Sequence, residues 1–168
     1  MIKLKILSVV LMTIFPSQKP ERVNEEARVI NEVQKELHVQ CVCIGGSLYK
    51  GKEHLSYKFN YYKKLGIDGA REVAVDLVDK LREKFNESPI HSEYLKVDKI
   101  EDKHLYLALF LRNEDGSEID RSELRIISIR YGNIYYNNMT DVTKCTIHKE
   151  SIEEARQILL NQKNNSNP

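Results

Sequence analysis

Cysteine, net charge and long apolar runs are all scarce in this 168-residue chain. Three cysteines, Cys41, Cys43 and Cys145, are too few and odd in number for a disulfide framework that could be read from spacing. A net charge of +1 gives no global field to draw the chain to nucleic acid or an anionic membrane, so any such binding has to be local. The longest apolar run, Ile6 to Phe15, rises about 15 Å as a helix, roughly half a bilayer core, and is too short for a comfortable transmembrane span. No Gly-x-Ser-x-Gly elbow occurs, so no nucleophile of the hydrolase type is marked. Acidic pairs such as Glu25-Glu26 and Glu114-Asp115 fall on expected solvent faces or turns, where nothing would push their pKa values apart. The chain therefore names no catalytic residue, no metal set and no cofactor.

What is present begins at the N-terminus. Met1 to Lys5 is basic, Ile6 to Phe15 is apolar, and Pro16-Ser-Gln-Lys-Pro20 breaks the run. That order reads as an export leader over 1–18, against the competing reading of a first strand or buried helix, and implies a periplasmic, cell-envelope or secreted address. Hydrophobic content of 41% and charged content of 30% are globular values, and 20–162 is long enough for one domain with a single core. The Asn/Ser-rich end, 163–168, reads as a disordered tail.

Within the domain the hydrophobic period changes from element to element. Val23, Ala27, Ile30, Val33 and Leu37 recur at helical spacing. Cys41 to Leu48 is a short apolar strand, and Glu53 to Tyr62 alternates, with Leu55, Tyr57, Phe59 and Tyr61 on the expected core side; the two make a hairpin. Asp68 is placed to cap a helix carrying Ala70, Ala74, Leu77, Val78, Leu81 and Phe85. A short turn around Ser92 to Leu95 follows. His104 to Leu111, Leu124 to Tyr131 and Ile134 to Tyr136 are three strands of a meander, and Ser151-x-x-Glu154 is a capping box opening a last helix. The expected fold is α+β: a single domain with an antiparallel sheet of about five strands, in the order helix, two strands, helix, three strands, helix, with helices mainly on one face.

The element order from Ala27 to Leu159, the Gly-Gly ending the first strand, the LSYKF strand, the AREVAVDLVDKLREKF helix and the LRIISIRYGNIYY hairpin carry a likeness. Over about four fifths of its length the chain resembles a group of small exported proteins of chlamydia-like intracellular bacteria. The resemblance implies an exported address and an α+β fold, and no particular activity.

Three local features could carry chemistry. Gly46-Ser-Leu-Tyr-Lys-Gly-Lys52 has the spacing of a phosphate loop, but Glu53 stands where Ser or Thr is needed and a strand follows where a helix is needed, so a hairpin turn is the simpler reading. Cys41, Cys43, Cys145 and His148 are acceptable zinc ligands at a spacing unlike that of a ribbon or finger, and the same thiols could instead supply one bridge from Cys145 to Cys41 or Cys43, or stay reduced and buried. The richest cluster is the hairpin from Tyr49 to Lys64. Tyr49, Lys50, Lys52, Lys58, Tyr62 and Lys63 are the candidate binding residues, lysines for anionic groups and tyrosines for flat stacking partners. Taken together the sequence describes an exported, non-enzymatic binding protein. Its partner is unnamed: a protein is compatible, and near-neutral charge and export argue against nucleic acid.

Overall fold

The computed structural model describes residues 20–49, 52–139 and 143–165. The leader expected over 1–18 lies outside them. The order of elements is α1 (Pro20–Leu37), β1 (Gln40–Tyr49), β2 (Lys52–Tyr61), α2 (Ile67–Phe85), α3 (Ile90–Leu95), a 3-10 turn (Asp102–His104), β3 (Leu105–Leu111), β4 (Ile126–Arg130), β5 (Asn133–Met139), β6 (Lys144–Ser151) and α4 (Ile152–Asn165). The tail expected from 163 is thus helical as far as Asn165.

An α+β domain is present, but its sheet has six strands in the order β1-β2-β3-β4-β5-β6 and is mixed. Every neighbouring pair is antiparallel except β2 and β3, which run parallel. The reason is the connection between them. Parallel neighbours require a crossover of a dozen or more residues, and 62–104 supplies one that contains α2. The additional strand, Lys144–Ser151, has little apolar alternation because a bulge at Ile147 breaks its period and the positions paired with buried Tyr136 and Ile134 are the polar His148 and Glu150.

One face of the sheet builds the core. Leu55, Tyr57 and Phe59 pair with Leu105, Leu107 and Leu109, and Leu107 and Leu109 pair in turn with Ile129 and Ile127. All eight are buried, as the period of two requires. α2 covers them with Ala70, Ala74, Leu77, Val78, Leu81 and Phe85, each 0% exposed. On α1 the buried positions are Arg22, Glu26, Val29, Ile30 and Val33, not the full apolar set of the sequence; Ala27 is exposed. The helix is rotated to bring Glu26 beneath the Tyr57 hydroxyl, which donates to Glu26 Oε1 at 2.5 Å.

Helix ends follow the same local rules. The capping box forms: Ser151 N–H donates to Glu154 Oε2 at 2.7 Å and Glu154 N–H donates to Ser151 Oγ at 3.1 Å. Asp68 does not cap α2. Gly66 holds that position, and Asp68 pairs with Arg71 at 2.5 Å. Asn86 ends α2 and fastens the crossover, its side chain donating to Ile100 O and accepting from Ile100 N–H, both at 2.9 Å. The β4–β5 turn uses Tyr131 and Gly132, both at positive φ, as a two-residue hairpin with right-handed strand twist demands. Arg156 of α4 pairs with Asp79 of α2 and Asp102 of the 3-10 turn at 2.5 and 2.9 Å, which joins α4 to the helical layer.

Candidate functional site

The hairpin cluster is not a patch. Lys50 lies outside the described residues, and of Tyr49 and Lys52 only the strand backbone is described. β2 spans ten residues, so its turn end and the Tyr62-Lys63 end are about 30 Å apart. Tyr62 is 39% exposed and donates its hydroxyl to Gln40 Oε1. Lys63 is exposed, and its neighbour Lys64 is paired with Glu123 at 2.5 Å. Lys58 alone among the expected binding residues projects from the middle of the sheet, on the face opposite the helices.

The cysteines are also separated. A β-bulge lies between Cys41 and Cys43, so Cys41 pairs with Phe59 on the helix side while Cys43 pairs with Lys58 on the other. Two positions that regular alternation would place together are on opposite faces. Cys145 is on β6, five strands across the sheet from β1. At about 4.8 Å per strand that is roughly 24 Å, against the ~7 Å between Cα atoms that a disulfide allows. All three are free thiols, and the expected bridge and the Cys41/Cys43/Cys145/His148 zinc set are both unmade. Among the described residues no group of three or more His, Cys, Asp or Glu is gathered to hold a metal. Burial pushes the Cys41 thiol up to about 11, and Cys43 is exposed. Iodoacetamide at pH 8 is therefore expected to modify Cys43 on the order of tenfold or more faster than Cys41, followed by peptide mass spectrometry; equal rates would contradict the bulged placement.

The strongest buried electrostatics lie on the helix side, unsignalled by any motif. Arg71 Nε donates to both Glu150 oxygens at 2.9 and 3.1 Å, and the Tyr136 hydroxyl donates to Glu150 Oε1 at 2.5 Å. Burial, then the Glu150 hydrogen bond, holds the Tyr136 phenol far above its usual range. A second group surrounds α3. His91 is 0% exposed, tilted against Phe85 at 4.5 Å between ring centroids, while the Arg22 guanidinium lies 3.3 Å over the Tyr94 ring. Burial also raises the Glu26 carboxyl above the usual carboxylate range, opposed by the Tyr57 hydrogen bond. The Arg71–Glu150–Tyr136 and Glu26–Tyr57 groups are spent on one another inside the fold and join helices to sheet.

The opposite face of the sheet is different in kind. Its strand positions, by the register, include Ser56, Lys58 and Asn60 on β2, Tyr106, Ala108 and Phe110 on β3, Ile126, Ser128 and Arg130 on β4, Tyr135 on β5, Lys144 and Lys149 on β6. None of these is Asp or Glu, in a chain with 25 acidic residues. Four are cations. Aromatic rings lie among them: His54 stacks on Tyr106 at 4.2 Å, Tyr131 meets Tyr106 edge-on at 4.9 Å, and Arg130 and Lys149 stand 4.6 and 5.4 Å from the Tyr135 ring centroid. The bulge residues Val42 and Ile147, each 49% exposed, mark the two sheet edges. Cross-strand neighbours on a sheet are far apart in sequence, which is why no linear motif announces this surface.

No protein-family model matches the chain, and neither the curated proteins nor the solved structures yield a match. No helix among the described residues is long and apolar enough to cross a membrane.

Proposed function

We propose that this is an exported, non-enzymatic binding protein that takes an anionic partner on the open face of its sheet. The observation that carries this reading is the carboxylate-free composition of that face. In a chain of almost equal acidic and basic content, one sheet face holds Lys58, Arg130, Lys144 and Lys149 with no opposing Asp or Glu at its strand positions. Such a segregated field attracts anions locally even though the net charge is +1. The helices, by contrast, carry their charges in paired networks. The candidate surface thus moves from the hairpin to the sheet, with Lys58 common to both.

Immobilised heparin serves as a sulfated polyanion probe. Lys58→Glu, Arg130→Glu and Lys149→Glu together are expected to abolish retention at 0.15 M salt, reducing the slope of log affinity against log salt by about three. An equal reversal at Lys35, Lys99 and Lys163 is expected to leave most of the retention in place. Equal losses from both sets would refute the surface. The address is tested by fractionating producing cells and weighing the mature N-terminus: a chain shortened near residue 18 in the envelope or medium supports export, and a cytosolic chain that keeps Met1 opposes it.

A further inference from the structure

We propose that the open face contains a defined oxyanion site, for a phosphoryl or sulfuryl group, where Arg130, Lys144, Lys149 and the Ser128 hydroxyl converge around Tyr135. The inference rests on the reading of that face as the binding surface and says which chemical group it holds.

The sheet builds the site by register. Ser128, Tyr135 and Lys149 are directly paired across β4, β5 and β6 and form one row on the open side. Arg130, two residues beyond Ser128, shares its face, and its guanidinium carbon lies 4.6 Å from the Tyr135 ring centroid. Lys149 Nζ lies 5.4 Å from the same centroid. Lys144 reaches across β5 and donates from Nζ to Ser128 Oγ at 2.8 Å. Three cations are thereby held around two neighbouring side chains, and among the described residues none of the three has a carboxylate within ion-pair distance.

That arrangement sets like charges beside one another. Burial, and then the charge of Arg130, hold the Lys144 ammonium below the usual lysine range. An anion set among the three would relieve the repulsion and accept charge-assisted hydrogen bonds. Ser128 already accepts from Lys144 through its oxygen, which leaves its hydroxyl proton to donate. Arg130, Lys144 and Lys149 together carry more N–H donors than the roughly four lone-pair sites of a carboxylate accept, and a tetrahedral phosphoryl or sulfuryl group presents three or more oxygens to them. Tyr135 on β5 lies between Arg130 on β4 and Lys149 on β6, and the two cations flank its ring.

The test titrates the full chain with inorganic phosphate and inorganic sulfate at constant ionic strength, followed by amide NMR and by the titration of Lys144 itself. Saturable shifts at Ser128, Tyr135 and Lys149 are expected, with a rise in the Lys144 pKa on binding. Arg130→Gln and Lys149→Gln are each expected to weaken the titration at least fivefold, and acetate to bind more weakly than either tetrahedral anion. Cosedimentation with phosphatidic acid vesicles that is lost in Arg130→Gln would assign the group to a lipid headgroup; titration by phosphate without cosedimentation would assign it to a soluble anion. Absence of saturable shifts, or identical shifts in Arg130→Gln, would overturn the site. If phosphate fails while heparin retention still depends on Lys58, Arg130 and Lys149, the oxyanion site alone is wrong; if both fail, the surface falls with it.

Discussion

Replacing Glu150 with Gln is expected to destabilise the protein by about 3 kcal/mol, because it removes the buried counter-charge of Arg71 and leaves only the exposed Asp68 carboxylate beside the guanidinium. Arg71 and Glu150 are 6% and 7% exposed, and the pair joins α2 to the edge strand β6. Arg71→Met should cost a similar amount by stranding Glu150. The double variant Arg71→Met/Glu150→Gln is expected to cost well below the sum, since most of each single loss is the penalty of one unpaired charge. Tyr136→Phe removes one hydrogen bond to a charged acceptor and is expected to cost about 1.5–3 kcal/mol. Urea denaturation of the four variants measures all of this. Additive single and double effects would mean that the pair is solvated in the folded protein.

His91 should make the fold sensitive to acid. Neither ring nitrogen has a hydrogen-bond partner among the described residues. Burial, and then the Arg22 charge, hold its pKa down to about 4. The charge of Glu25 opposes this, but Arg28 donates to both of its carboxylate oxygens, at 3.0 and 2.8 Å. The imidazole is therefore neutral in the folded state, while in the unfolded chain it protonates near 6.5. Below that value the unfolded state binds the additional proton, so stability falls as the pH drops from about 6.5 toward 4. Between pH 7 and pH 4.5 the loss from this group is about 2.5 kcal/mol. The raised Glu26 carboxyl works in the opposite direction over part of the range, which makes the comparison with His91→Leu the informative one. That variant is expected to match the parent at pH 7 or exceed it, and to lose about 2.5 kcal/mol less on acidification. Parallel stability curves for the two proteins would show that His91 titrates normally.

Much of the architecture was legible because it depends on period. Alternation from Leu55 to Tyr61 marks a half-buried strand whatever lies around it, and Tyr57 and Phe59 are 0% exposed. The α2 stripe and the Ser151–Glu154 box are equally local. What escaped is what a second segment decides. Glu26 is buried in place of Ala27 because Tyr57, thirty-one residues on, offers it a hydroxyl. The turn from antiparallel to parallel at β2–β3 depends on where a long crossover returns, which no window of residues contains. β6 lacked alternation because a bulge at Ile147 breaks its period and its inward residues His148 and Glu150 are polar. The same limit explains the candidate surface. Lys58, Ser128, Tyr135 and Lys149 are neighbours only through the sheet order, so a linear reading selected the Tyr49 to Lys64 run, whose ends diverge along a strand.

The open face as binding surface is tested most directly by mapping amide shifts of the labelled protein with a defined heparin oligosaccharide as the probe. The account predicts that the shifts fall on 56–60, 106–110, 126–135 and 144–149, with α1, α2 and α4 silent. Shifts confined to the helical layer, or spread evenly over both faces, would contradict it.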